Sequence, residues 1–236
     1  MMKTFGFGHA THTGHVRSQN QDSYDYNASI GLWLLADGMG GHAAGDIASQ
    51  VAVKHIIKSC ENGIDICTAT TSAHQAVIAA AEEGQGHPDM GTTAVTLQIK
   101  SNRYEVAWIG DSRAYLWDGQ RLVQITKDHS IVQELIDSGQ LRKEGAKKSP
   151  YANVLSRTIG VSKSTIVNAD LVTGEFSRGQ QILLCTDGLT NEIEDKDITK
   201  ILSSSGNPQE QVDRLINMAL SHGGSDNITA ILVKHD

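Results

Sequence analysis

Covalent bracing is almost absent from this chain. It has three cysteines, Cys60, Cys67 and Cys185, and no Cys-x-x-Cys spacing. An odd count without that spacing excludes a disulfide scaffold and fits a reducing compartment. Prolines number only three, and no Pro/Gly/Ser-rich linker interrupts the sequence, so a single domain over residues 1–236 is expected. The longest apolar stretch, Ile30–Ala36, falls far short of the roughly 20 residues a membrane helix needs. Met1–His15 also lacks the apolar run of a signal peptide, so the default expectation is a cytoplasmic protein with no membrane partner. None of the ten histidines falls in an HExxH or Cys/His zinc pattern. Positive charge is short as well: 20 Lys and Arg against 27 Asp and Glu give a net charge of −7, which argues against nucleic acid as a partner.

What is present is an ordinary soluble composition, 39% hydrophobic and 20% charged, in a chain of 236 residues. At that length roughly 70–75% of the unfolded surface can be buried, so no staple is needed. A first strand is expected within Thr4–Thr13, then a loop holding Arg17, Asn20, Gln21 and Asp22, then a strand at Ile30–Ala36. Ala44, Ile47, Ala48 and Val51 share one helical face and predict a helix from Ala43 to about Cys60; Ala73, Ala76, Val77 and Ala80 predict another over Thr68–Glu83. Short β-branched and aromatic runs then predict strands at Thr92–Ile99, Glu105–Ile109, Arg113–Trp117 and Arg121–Ile125, with Asp118-Gly119 as a hairpin turn. A short helix at Ile131–Ser138 leads into a polar, irregular stretch, Leu141–Tyr151, whose Arg142, Lys143, Lys147 and Lys148 could meet acidic phosphopeptides or simply face solvent. Strands are expected at Ile166–Val172, Gln181–Cys185 and Ile228–Val233. Asn207-Pro208-Gln209-Glu210 opens a helix that buries Val212, Leu215, Ile216 and Ala219. Runs of strands with helices grouped in pairs predict an α+β layered sandwich.

Two segments read almost alike: Leu32-Trp33-Leu34-Leu35-Ala36-Asp37-Gly38-Met39 and Ile182-Leu183-Leu184-Cys185-Thr186-Asp187-Gly188-Leu189. Each is an apolar run that stops at Asp-Gly, where the glycine is expected to let the chain turn and to expose its carbonyl. A carboxylate at the end of a buried strand needs water, a cation or a partner. Asp111 and Asp226 also sit where strands meet turns, and Asp22 lies on the early loop. Hard divalent cations take such oxygen ligands, and two of them about 3.5–4 Å apart can share a water and lower its pKa toward neutrality. Arg17, five residues before Asp22, carries a planar fork suited to phosphate.

The motifs Arg17-Ser18-Gln19-Asn20-Gln21-Asp22, Ala36-Asp37-Gly38-Met39-Gly40-Gly41-His42, Met90-Gly91-Thr92-Thr93 and Gly110-Asp111-Ser112-Arg113 occur in that order. Thr126-Lys127-Asp128-His129-Ser130, Thr186-Asp187-Gly188-Leu189-Thr190 and Gly224-Ser225-Asp226-Asn227-Ile228-Thr229 follow. The series, spread over residues 5 to 234, resembles the PPM family of metal-dependent protein serine/threonine phosphatases (type 2C) in its compact bacterial form. The resemblance implies an αββα sandwich of two mostly antiparallel sheets flanked by helix pairs, with two Mn²⁺ or Mg²⁺ ions at one edge. It implies that Asp37 bridges both ions, that Gly38 offers its carbonyl, and that Asp187 and Asp226 complete one shell. Asp22 matches the acid that holds the metal-bound waters, Arg17 the phosphate-binding arginine, and Asp111 with Asp187 the position of a third, weaker ion. Thr92 reads as backbone support. The implied reaction is hydrolysis of phosphoserine and phosphothreonine esters by direct attack of a metal-bridging hydroxide. The implied setting is a monomer acting on phosphorylated proteins against a serine/threonine kinase.

The chain departs from the family twice. Met39 follows Asp37-Gly38 where eukaryotic members carry a histidine assigned general-acid work, so water or His42 must supply the leaving-group proton, and water is favoured. In the flap, about residues 128–160, Ser149-Pro150-Tyr151-Ala152-Asn153 stands where bacterial relatives tend to have His-Pro-x-Arg-Asn. Other readings are weaker. Gly38-Met39-Gly40-Gly41-His42-Ala43 fits a dinucleotide loop, but Asp37 would face the pyrophosphate. An aspartyl nucleophile of the D-x-D type needs Asp where Cys185 stands. A catalytically inactive phosphoprotein-binding relative would have no use for so many clustered aspartates, which raise one another's pKa values.

Overall fold

Leu32–Ala36 and Ile182–Cys185 are apolar at every position because each becomes an interior strand covered on both faces. The computed structural model describes residues 5–39, 44–161 and 167–236. In chain order it begins β1 (Gly6–His12), β2 (Asp22–Asn27), β3 (Leu32–Met39), α1 (Gly45–Glu61) and α2 (Ile66–Glu82). Then come β4 (Gly91–Thr92), β5 (Ala94–Lys100), β6 (Arg103–Ile109), β7 (Arg113–Trp117), β8 (Leu122–Gln124) and α3 (Ile131–Asp137). The last elements are β9 (Asp170–Glu175), β10 (Gln181–Cys185), α4 (Asp187–Glu192), α5 (Asp195–Leu202), α6 (Pro208–His222) and β11 (Ile228–Lys234).

The strands form two sheets, in the orders β1-β11-β10-β7-β8 and β2-β3-β5-β6-β9, with β4 paired to β3. Every described strand pairing is antiparallel. Alternate side chains assign the layers. Leu32, Leu34 and Ala36 of β3 pack against Ala48, Ala52 and Ile56 of α1 and Ala73 and Val77 of α2. Trp33 and Leu35 face the other sheet and meet Ile182, Leu184, Ile231 and Val233. On the far side, Leu183 and Cys185 pack with Leu189, Ile198, Leu215 and Ala219 of α4, α5 and α6. The result is the αββα sandwich implied by the resemblance. Each fully buried Leu, Ile or Val contributes about 1.5–3 kcal/mol relative to exposure, so the three apolar layers hold the sheets in fixed register.

Local signals explain most boundaries. Asn207 Oδ1 accepts from the Glu210 amide at 3.0 Å and Glu210 Oε2 accepts from the Asn207 amide at 3.2 Å, a reciprocal cap with Pro208 in the first turn of α6. Such a cap contributes about 1 kcal/mol. The Asp118-Gly119 hairpin joins β7 to β8 as expected. Four elements depart from the sequence reading. Asp22 lies at the head of strand β2, not on a loop; β2 is a polar edge strand, so its sequence carries no apolar alternation. The short helices α4 and α5 were not anticipated, although Glu194 and Asp197 form a cap at the start of α5. Strand β9 begins at Asp170, later than expected, because the amide of Ala169 donates to Thr71 Oγ1 of α2 instead of a neighbouring strand.

The repeated Asp-Gly pairs also have a different cause from the one expected. Strand β3 continues through Gly38 to Met39, with Gly38 opposite Thr92 of β4. A Cβ on Gly38 would stand 2.0 Å from the Gly45 carbonyl oxygen and 2.5 Å from that of Gln21. A Cβ on Gly188 would stand 2.0 Å from the Asn227 carbonyl oxygen. Each glycine is required by a crossing backbone rather than by a turn. Gly38→Ala is therefore expected to destabilise the fold by about 3 kcal/mol or more through overpacking, measured by urea unfolding.

Candidate active site and metal centre

The pairing of β2 with β3 sets Asp22 directly opposite Asp37 on one sheet. Like charges in that position repel. From the other sheet come Asp187, the first residue of α4 just after β10, and Asp226, just before β11. Asp111 sits in the turn by which the chain crosses from β6 to β7, that is, from one sheet to the other. The five aspartates expected from the sequence are thus gathered at one edge of the sandwich.

The backbone around Asp37 is held by its neighbours. Its amide donates to Thr93 Oγ1 at 3.0 Å, and its carbonyl accepts from the Thr93 amide at 2.9 Å and Thr92 Oγ1 at 2.8 Å. Thr92 is a backbone support, as expected. Asp22 Oδ2 accepts from Thr229 Oγ1 at 2.6 Å and Thr186 Oγ1 at 3.0 Å, two hydroxyls of the opposite sheet. Its Oδ1 is buried and has no hydrogen-bond partner among the described residues. Asn227 fastens the Arg17 loop: its Oδ1 accepts from the Gln21 amide at 2.8 Å and its Nδ2 donates to the Thr13 and Gln19 carbonyls, each at 2.9 Å. Gly110, at φ 106°, lets the chain turn into Asp111, and its amide donates to Nδ1 of buried His129 at 3.1 Å.

Burial raises the Asp37 carboxyl well above the usual range, and Asp22, Asp187, Asp111 and Asp226 push it further. Burial, then Asp187 and Asp128, lift Asp111 to about 8. Asp22 is lifted to about 7 by burial, with the Thr229 and Thr186 hydroxyls pulling the other way. Asp187 is raised by burial and by Asp226. Among the described residues no three acidic, His or Cys side chains close to ligand spacing, so the convergence is one of electrostatic reach rather than a finished coordination shell. The donor set consists of hard oxygens, one buried carboxylate oxygen has no donor, and the excess is negative. This chemistry fits Mn²⁺ or Mg²⁺ and does not fit a soft metal.

Arg17 reaches the same edge. Its Nε and Nη2 hold the two oxygens of Asp226 at 2.8 and 2.7 Å, so its fork lies on a carboxylate at the cluster. Arg113 grips Asp128 in the same way at 3.0 and 2.6 Å, and its positive charge partly offsets the repulsion that Asp111 feels. A cavity of about 370 Å³ opens beside Asp111 and Asp187 and is roofed by Ala146, Lys147 and Asn153 of the flap. His42, the alternative proton donor, lies outside the described residues. Sequence reasoning missed Thr186, Thr229 and Asn227 as supports, although all three fall inside the quoted motifs.

The geometry has close parallels. A family model described as Protein phosphatase 2C matches residues 11–232. The serine/threonine phosphatase stp of Listeria monocytogenes is 34% identical over 239 residues, covering 96% of this chain and 94% of that protein. Protein phosphatase PhpP of Streptococcus pneumoniae is 36% identical over 234 residues, covering 94% of each chain. The solved serine/threonine phosphatase PstP/Ppp of Mycobacterium tuberculosis superposes with a TM-score of 0.89 at 34% identity, over 98% of this chain and 99% of that one. A PstP catalytic domain solved with two manganese ions gives 0.85 at 33% identity, over 98% and 99%. The chain belongs to the protein phosphatase 2C family of metal-dependent serine/threonine phosphatases.

Proposed function

We propose that the aspartate edge hydrolyses phosphoserine and phosphothreonine esters of proteins in one step, without a phosphorylated enzyme. The observation that carries this reading is the opposition of Asp22 and Asp37 across one strand pair, with Asp187 and Asp226 brought in from the other sheet. Asp37, the Gly38 carbonyl, Asp187 and Asp226 would hold two Mn²⁺ or Mg²⁺ ions, and Asp111 with Asp187 would hold a third, weaker one. Two such ions, when bound, make a water acidic near neutral pH and offset phosphoryl charge. Asp22, backed by two threonine hydroxyls, orders water at the face the phosphate approaches. Arg17 is placed to turn its fork from Asp226 to the phosphoryl oxygens. A covalent route through the nearby thiol has no support, since burial pushes Cys185 up to about 12. Phosphorylated proteins are the substrates, a serine/threonine kinase opposes the reaction, and the enzyme acts as a cytoplasmic monomer. Among the described residues no helix is long and apolar enough to cross a membrane.

The test is phosphate release from a phosphothreonine peptide. EDTA should abolish it and Mn²⁺ restore it; activity that persists in chelator, or is lost with Cys185→Ser, overturns the proposal. For Arg17→Ala, KM is expected to rise about 10- to 100-fold, the scale of a lost charged hydrogen-bond pair. Calorimetry should find Mn²⁺ affinity retained, and loss of metal would remove Arg17 from phosphate binding.

A further inference from the structure

Residues 130–155 fold back on themselves at the rim of the cavity. Ser130 bridges to Leu155, and the Ile131 amide donates to the Val154 carbonyl at 2.9 Å. Within this loop the 3-10 turn Lys143–Lys148 carries four of the flap's cations when Arg142 is counted with it. All four are exposed. Lys147 differs: its Nζ donates to the carbonyls of Thr190 and Asn191, each at 3.2 Å. These carbonyls belong to the last turn of α4, where acceptors have no partner within the helix and the peptide dipoles favour a cation.

The docking point is tied to the aspartate edge. Asn191 Nδ2 donates to Asp187 Oδ2 at 3.1 Å, within the same helix. Glu192 accepts from the Ser225 amide at 2.8 Å and from Ser225 Oγ at 2.5 Å, one residue before Asp226. The cavity of about 370 Å³ lies under this closure, between Ser130, Lys147 and Asn153 on one side and Asp111, Asp187 and Asn191 on the other.

We infer that Lys147 is a positioning residue that latches the flap to α4 and thereby shapes the cavity that receives the chain flanking a phosphorylated residue. Its acceptors, the Thr190 and Asn191 carbonyls, are not among the proposed metal ligands. The inference rests on the phosphatase reading of the same edge, since it supposes that a peptide occupies the cavity.

The experiment compares Lys147→Ala, Lys147→Arg and Lys148→Ala with the unaltered protein at saturating Mn²⁺. Amide hydrogen exchange over residues 131–155 is expected to quicken in Lys147→Ala and stay unchanged in Lys148→Ala. KM for a phosphothreonine peptide should rise about fivefold, the scale of one ordinary hydrogen bond, while KM and kcat for p-nitrophenyl phosphate hold within about twofold. Lys147→Arg should recover much of both. Unchanged exchange overturns the latch. An equal loss on both substrates also overturns it, assigning Lys147 to support of Asp187 instead, and an equal effect of Lys148→Ala would replace it with general charge docking. If the unaltered protein turns over neither substrate, the phosphatase reading fails while the exchange comparison still judges the latch.

Discussion

Asp37→Asn is expected to lower Mn²⁺-dependent turnover about a thousandfold and, in the same protein, to make the metal-free fold harder to unfold. The first effect follows from position. The charges of Asp22, Asp187, Asp111 and Asp226 all act on Asp37, which is why the proposed reading puts it between the two ions. Metal-ion catalysis supplies several kcal/mol of transition-state stabilisation, and a loss of about 4 kcal/mol is three factors of ten. The second effect follows from the charge. A carboxylate set opposite Asp22 is repelled by Asp22, Asp187, Asp111 and Asp226, and a neutral amide of the same shape removes that repulsion. A gain of about 1–3 kcal/mol is expected, in the usual direction of exchange between stability and activity. Turnover with titrated Mn²⁺ and urea unfolding in EDTA measure the two arms. Loss of activity with no gain in metal-free stability would mean that the cluster is not under the repulsion described.

Metal-free stability is expected to fall as pH rises, and the stabilisation given by Mn²⁺ to grow by the same measure. The folded-state pKa values of Asp22, Asp37, Asp111 and Asp187 are all raised above those of the unfolded chain. Below about pH 4 these groups are protonated in both states and impose no penalty. As pH rises the unfolded chain ionises first, so it binds fewer protons than the folded one and stability declines. The decline runs until the folded groups titrate, about 7 for Asp22 and about 8 for Asp111. A total on the order of 2–4 kcal/mol is expected between about pH 4 and pH 8, because the coupled groups share the effect. Ions that bind the carboxylates displace these protons, so binding tightens with pH. Melting curves in EDTA and in millimolar Mn²⁺ at a series of pH values test this. A constant gap between the two midpoints would contradict it.

Much of this architecture was legible in the residues. Leu32–Ala36 and Ile182–Cys185 announced strands covered on both faces, and Asn207, Pro208 and Glu210 fixed the start of α6 to the residue. Alanine-rich periodicity located α1 and α2. The polar strand β2 gave no period because much of it meets solvent and, among the described residues, no strand pairs with its outer edge. The reason for Gly38 and Gly188 was out of reach, since it lies in the Gly45 and Asn227 carbonyls that pass against them. The site residues were visible as motifs, but not the threonines that reach Asp22 from the facing sheet, because residues more than 160 positions apart carry no mutual signal. Lys147 read as one more cation in a basic run; only the placement of α4 beneath it distinguishes it.

The hydroxyls of Thr186 and Thr229 have a wider consequence, because they cross from one layer of the sandwich to the other to reach Asp22. A lateral slip of the layers by an ångström or so would misalign these contacts long before the protein melted. Trimming side chains in the inter-sheet seam, such as Ile231 or Leu35, should therefore dull the enzyme at temperatures where its circular dichroism is still intact. The reacting edge acts as a gauge of shear in the whole scaffold.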